Sequence, residues 1–241
     1  MTAERASLLP EYTVRRSARA KRSRLTITDD GHAAVVLPTR APQREADELV
    51  ARHQGWIGRH QRLIRDRVVA RAARPPLGAG REVLLRGVPH RVVSIAAIDG
   101  RRRRSVEALE GRIVVITPPL DTRPIADILQ SWLRAEARRA VEARLQARSI
   151  EMGLAPTRVT IRDQRTRWGS ASRRGTLSFG WRLMMCPPSV LDYVVVHELA
   201  HLRVAGHGRS FWRLVDRHFP ESAVARRWLH EHHEELRHAL D

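Results

Sequence analysis

Apolar positions along the chain change period several times, and each change predicts an element. Between Tyr12 and Pro38 the pattern is strand-like, with Thr26 and Ile27 before the turn Asp29-Asp30-Gly31 and Ala34, Val35, Val36 and Leu37 after it. From 43 to 73 the period becomes helical, through Ala46, Leu49, Val50, Trp56, Ile57, Leu63, Ile64 and Val68, with Gly55 and Gly58 as breaks. Pro75-Pro76-Leu77-Gly78 and Gly80 close that unit. Strands are then predicted at Glu82–Leu85, His90–Ile95 and Ile113–Ile116, with Asp99-Gly100-Arg101 as a turn tip. Asp121 or Thr122, with Pro124 just inside, starts a long helix from about 124 to 151, and Gly153 ends it.

Beyond it, Thr157–Asp163 and Thr176–Leu183 are strand candidates joined through Trp168-Gly169-Ser170. Pro187-Pro188-Ser189 opens an apolar helix, with Ser189 as N-cap and Asp192 in the first turn. A helix carrying Phe211, Trp212, Leu214 and Val215 follows, and a single C-terminal helix from about 221 to 239 completes the chain. The expected class is α+β. A flexible tail covers 1–11, an N-terminal β-rich lobe with one helix covers 12–118, and a second lobe covers 119–241.

Composition narrows this. With 241 residues the chain has room for one large domain or two small lobes. One cysteine, Cys186, excludes a disulfide framework and fits a reducing compartment. The N-terminus is dotted with arginines and lacks the apolar stretch of a signal peptide. No apolar run approaches the ~18 residues a bilayer span needs. The expectation is a soluble, cytoplasmic protein with no membrane partner. A formal charge of +18 points to an anionic partner. Basic clusters at Arg15–Arg24, Arg59–Arg74, Arg101–Arg104 and Arg162–Arg174 give a surface suited to nucleic-acid backbones. Lys21 is the only lysine, so a compositional bias explains the choice of arginine, though not the excess over acid. Base-stacking aromatics are scarce between the clusters, which weakens the nucleic-acid expectation.

The chemistry is concentrated in Val194-Val195-Val196-His197-Glu198-Leu199-Ala200-His201, followed by His207. Helical residues four apart lie about 40° apart around the axis and ~6 Å along it, so His197 and His201 can share one metal. Glu198 projects beside them, placed to take a proton from water activated there. His207 is the natural third ligand, because a catalytic zinc keeps three protein ligands and an open position. Gly206 is expected to stop the helix and let the chain return to the metal. A closed structural zinc would ask for cysteines that this chain lacks. The spacing from His201 to His207 equals that of metzincins, but Val204 stands where their glycine would and no methionine follows His201.

The wider pattern carries a resemblance. Arg165-Thr166-Arg167-Trp168-Gly169-Ser170-Ala171-Ser172, then Leu177-Ser178-Phe179-Gly180-Trp181-Arg182-Leu183, the histidine helix and Phe211-Trp212 together resemble the YgjP-like metallopeptidases, relatives of the WLM and SprT-like proteases. Arg15-Arg16-Ser17-Ala18-Arg19-Ala20-Lys21-Arg22 and Trp56-Ile57 extend the likeness from Tyr12 to about Leu229. It implies a zincin-like domain with one zinc per chain on His197, His201 and His207, Glu198 as general base, and a protein or peptide substrate. Three positions depart from the family pattern: Ala171 for its cysteine, Gly180 for its asparagine, and Gly206 for the asparagine before the third histidine. None removes a ligand or the base.

Amide hydrolysis also needs a donor for the tetrahedral oxyanion, and Arg167, Arg182 and Tyr193 are the candidates, in that order. The strand Thr176–Leu183 is expected to offer an edge on which an extended peptide pairs. Trp168 and Trp181 read as core or groove wall. His230, His232, His233 and His238 read as a polar helix end. Two alternatives stand beside the peptidase: a nucleic-acid-associated, SprT-like protease acting on DNA-bound proteins, and a non-catalytic zinc-containing binding module.

Overall fold

The structure is a computed structural model that describes residues 9–28, 30–97, 103–164 and 166–241. The predicted tip Asp99-Gly100-Arg101 lies outside the described residues, as do Asp29 and most of the expected tail. The chain forms two compact units, Met1–Arg74 and Pro75–Asp241.

In the first unit, β1 (Tyr12–Ser17), β2 (Arg24–Ile27) and β3 (Ala33–Pro38) form a sheet of order β1-β3-β2. The central β3 runs parallel to β1 and antiparallel to β2. Its Ala33, Val35 and Leu37 alternate onto one face and are fully buried. Ala46 and Val50 from α1 (Gln43–Arg52) and Ile57 from α2 (Gln54–Ala72) complete that core. The predicted helix is therefore broken, but at His53, whose φ of −112° and ψ of 16° interrupt the helical path. Gly55 and Gly58 lie inside α2, because a glycine weakens a helix without forcing it to stop.

The second unit opens with β4 (Ala79–Leu85), β5 (Val88–Ala96), β6 (Ser105–Leu109) and β7 (Arg112–Thr117), in the order β4-β5-β7-β6. Strand β6 escaped the sequence pattern because, as an edge strand, it buries none of its side chains. Helix α3 (Ile125–Met152) runs from Pro124 to Gly153, whose φ of +61° supplies the left-handed C-terminal cap. Its stripe Ile128, Leu129, Leu133, Ala137, Val141 and Leu145 shares one core with Val83, Leu85, Val92, Ile113 and Val115. That shared core groups the four-stranded sheet with α3. The division thus falls at Arg74/Pro75, where the proline pair ends the helical unit, and differs from the expected boundary at 118/119.

A third sheet, β8 (Arg158–Arg162), β9 (Gly169–Ala171) and β10 (Thr176–Gly180), has the order β8-β10-β9. The strand predicted to reach Leu183 ends at Gly180, where a buried 3-10 turn, Trp181–Met185, begins. Helices α4 (Pro188–Ala200), α5 (Arg209–His218), α6 (Ser222–Glu231) and α7 (His233–Arg237) follow. The expected C-terminal helix is divided at His232. The N-cap of α4 is Pro187 and not Ser189, with Pro188 in the first turn and no side-chain cap. Among the described residues no helix is long and apolar enough to cross a membrane.

Candidate active site

Helix α4 is apolar almost all round, so it becomes the centre of its unit: Val190, Leu191, Val194, Val195, Val196, Leu199 and Ala200 are all buried. Asp192, expected to serve the helix N-terminus, is instead gripped by Arg148 of α3, with Nη2 to Oδ2 at 2.7 Å and Nε to Oδ1 at 3.0 Å. Arg148 also donates to Glu151 and to the carbonyl of His218, joining α3, α4 and α5. The elements that present the polar residues are thereby held against one another.

The last turn of α4 carries His197 and Glu198, and His201 is its C-cap. The helix ends at Ala200, earlier than Gly206, and a turn returns the chain so that His207 faces the other two. Gly206 serves that turn with a φ of +77°, a conformation open to glycine and tolerated by asparagine. One ligand atom from each of His197, His201 and His207 lies within 4.8 Å of the others. His207 Nε2 is 3.1 Å from His197 Nε2, close to the ~3.3 Å between nitrogens sharing a tetrahedral zinc.

The outer nitrogens are engaged in a way that suits this. His197 Nδ1 is 3.3 Å from Tyr193 Oη, and His201 Nδ1 is 3.3 Å from the Val204 carbonyl. Protons held on Nδ1 leave the Nε2 lone pairs free to coordinate. Fully buried Phe211 fixes the rings, stacking on His201 at 4.4 Å and meeting His197 and His207 edge-on, each at 4.9 Å. Burial, helped by the neighbouring histidines and Arg226, lowers the His197 pKa to about 3, and burial also lowers His201. Both are thus neutral near pH 7, the state a ligand requires.

Glu198 is buried, and its Oε2 has no hydrogen-bond partner. Burial pushes its pKa up to about 8, opposed by the charge of Arg167. The carboxyl lies against the backbone of β9: a Cβ at Gly169 would stand 2.5 Å from Glu198 Oε1 and 2.7 Å from Cγ. A buried carboxyl oxygen without a partner, in a cleft shared with three histidines whose ligand atoms lie within 4.8 Å of one another, fits a divalent metal.

These groups line a cleft of about 930 Å³ that also holds Arg167, Trp168, Ser170, Arg173, Tyr193 and Arg226. Arg167 and Tyr193 both line the cleft, and the Tyr193 hydroxyl faces His197 Nδ1, the position of a ligand-orienting group. Arg182 does not line the cleft. It is buried, its guanidinium paired with Asp163, bonded to the Leu236 carbonyl and stacked over Trp181, so its role is to hold the C-terminal segment. Trp168 is cleft wall and Trp181 is core. His232 stacks on Trp228 and His238 pairs with Glu234 and Asp241, whereas His230 and His233 turn into the cleft.

The expected edge also moves. Strand β10 is enclosed between β8 and β9, so the sheet's edges belong to those two strands, and β9 is the one that lines the cleft. Trp168 O accepts from Gly180 N and Ser172 N donates to Thr176 O, so alternation turns the backbone groups of Gly169 and Ala171 away from β10. Sequence reading gave no role to Gly169, Phe211, Trp212 or Arg226. None left a usable signal: Gly169 read as part of the connection between two strands, and its place on β9 emerges only in the structure.

A family model described as the YgjP-like metallopeptidase domain matches residues 21–232. Among solved structures, the metallopeptidase zymogen of Pyrococcus abyssi abylysin aligns with a TM-score of 0.35 and 28% identity, over 38% of this chain and 93% of that one. Comparison with curated proteins gives no match.

Proposed function

The chain belongs to the YgjP-like metallopeptidase domain family, and from that premise we propose that it is a zinc-dependent peptidase with Glu198 as general base. The observation that carries this reading is the buried Glu198 carboxyl, whose Oε2 has no hydrogen-bond partner, in the cleft that holds the histidine cluster. His197, His201 and His207 would hold one zinc ion per chain. When bound, zinc would supply Lewis acidity, polarising the scissile carbonyl and making water acidic enough to ionise near neutral pH.

The protein's own groups supply the rest. Glu198 takes the proton of the attacking water at its carboxylate and returns it to the leaving amine. Gly169 admits the carboxylate by lacking a side chain. An extended substrate pairs with the outward amide and carbonyl groups of Gly169 and Ala171 on β9, so affinity comes largely from main chain. Arg167, whose charge reaches Glu198, is the oxyanion donor.

The test is to add zinc-loaded wild type or Glu198→Gln to a native lysate and map new protein N-termini. Wild type is expected to generate cleavages that Glu198→Gln makes roughly 10²- to 10⁴-fold more slowly, while both retain one zinc per chain. Equal cleavage by both would remove Glu198 from the chemistry. Silence from both would remove the general-peptidase reading.

Helix α2 favours a second reading, recruitment to nucleic acid. Of its nineteen residues only Ile57 is buried, and Arg59, Arg62 and Arg65 are exposed. Salt-dependent binding of duplex DNA, lost on reversing those three charges and stimulating cleavage of DNA-bound protein, is the expected result. Binding indifferent to the reversal would dismiss it.

A further inference from the structure

The cleft holds more positive charge than the proposed hydrolysis uses. Arg167, Arg173 and Arg226 line it, and Glu198 is the only carboxylate among its described lining residues. Some arginines outside the cleft do pair with acids, as in Arg148 with Asp192, Arg182 with Asp163 and Arg138 with Glu142. Among the described residues no ion pair engages Arg173 or Arg226. Both are exposed to solvent at the cleft, so their N–H groups are open to an anionic group of a bound substrate.

Arg226 is the better placed of the two. Its guanidinium, projecting from α6, stacks over the Trp212 ring at 4.3 Å. Trp212 in turn lies 5.8 Å from the His207 ring and 5.9 Å from that of His197. The Arg226 charge therefore stands at most about 10 Å from the rings of His197 and His207. Stacking engages the flat face of a guanidinium and leaves its N–H edge free, the edge that grips a carboxylate bidentately. An extended peptide advances ~3.3 Å per residue, so the guanidinium faces a group two or three residues from the scissile bond. Arg173 follows just beyond β9, at the end of the edge where the substrate backbone is proposed to run.

We infer that Arg226, assisted by Arg173, is a receptor for a substrate carboxylate, which makes this chain a peptidase selective for acidic segments. The inference rests on the peptidase reading and adds the substrate class. The carboxylate is an Asp or Glu side chain or a free C-terminus, chemistries that Arg226 meets in the same way.

The experiment uses the zinc-loaded full chain and peptides identical except for Glu, Gln or Lys at each of three positions on either side of the bond, each with a free or amidated C-terminus. Wild type is expected to favour Glu over Gln at one position, or free acid over amide, by about tenfold in kcat/KM. The first pattern assigns a side-chain carboxylate, the second a terminal one. Arg226→Gln is expected to bring that ratio close to one, and Arg226→Glu to invert it toward Lys; zinc content and thermal midpoint check that both variants fold. A wild-type ratio near one at every position, or a ratio unmoved in Arg226→Gln, overturns the inference.

If wild type cleaves no peptide, the peptidase reading fails separately. The receptor is then judged by anisotropy of labelled Glu and Gln peptides on zinc-loaded Glu198→Gln. Tighter binding of the Glu peptide, abolished by adding Arg226→Glu, supports the receptor, and equal binding overturns it.

Discussion

Gly169 and Glu198 show how little separates a working carboxylate from a displaced one. The glycine has no unusual backbone angle, so its requirement is steric: a methyl there would sit 2.5 Å from Oε1 and 2.8 Å from Cδ of Glu198. Neither side can yield easily, since β9 is hydrogen-bonded to β10 and α4 is buried. Gly169→Ala is therefore expected to swing the carboxylate out of position, lowering kcat by at least tenfold while zinc binding survives. The overpacking should cost about 1–3 kcal/mol. Steady-state kinetics with a metal assay and a denaturant melt check this, and full activity in the alanine variant would show that the contact relaxes. The residues proposed to carry the chemistry were legible in the sequence because H-E-x-x-H fixes a helical spacing and nothing more needs to be known. Gly169, Phe211 and Arg226 were not, because their roles exist only through neighbours distant along the chain. Arg182 illustrates the converse, since an arginine beside a recognisable motif says nothing of the direction its side chain takes.

Elements with a strong local signal were readable in advance: α3 from its apolar stripe and glycine stop, α4 from its apolar run, β3 from its apolar residues beside a turn. Those decided by tertiary context were not. Strand β6 exists because β7 offers it a partner, and β10 is central because β9 folds back along it. The clamp between α3 and α4 belongs to the same class, and its acidic members make it sensitive to pH. His218 and Arg148 hydrogen-bond Glu151 and hold its pKa below the usual value of 4.5. A group depressed in the folded state stabilises fully above its unfolded pKa and loses that contribution as pH falls through the folded one. Wild type is thus expected to melt higher than Glu151→Gln at pH 7, with the gap closing as the solution is acidified below about pH 4.5. Thermal melts across that range test it, and a gap independent of pH would mean the glutamine loses packing and not charge. Asp192→Asn, which leaves the Arg148 cation without its principal partner, is expected to cost more, roughly 2–4 kcal/mol at pH 7.

At the scale of the whole molecule, the histidine cluster sits on a unit whose core does not depend on it. The second unit buries a continuous cluster from Val83 to Ala239, and the three histidines contribute only rings at its surface, with His207 exposed. This differs from small zinc modules, in which metal binding supplies the folding free energy. Removing metal is therefore expected to abolish hydrolysis yet leave a cooperatively folded protein. Its melting temperature should fall by the linkage amount alone, about 4 kcal/mol of stabilisation at a free zinc concentration a thousand times Kd. The same reasoning separates the two units. Each has its own buried cluster, that of the first being Ala33, Val35, Leu37, Ala46, Val50 and Ile57. A fragment comprising 75–241 is accordingly expected to fold and to bind one zinc with the affinity of the full chain, because every residue proposed to hold or surround the metal lies within it. Circular dichroism, calorimetry and a chelator competition decide the matter. A fragment that folds yet loses metal affinity would mean that the first unit helps to shape the site, whereas one that fails to fold would mean that the core of the second unit is insufficient alone.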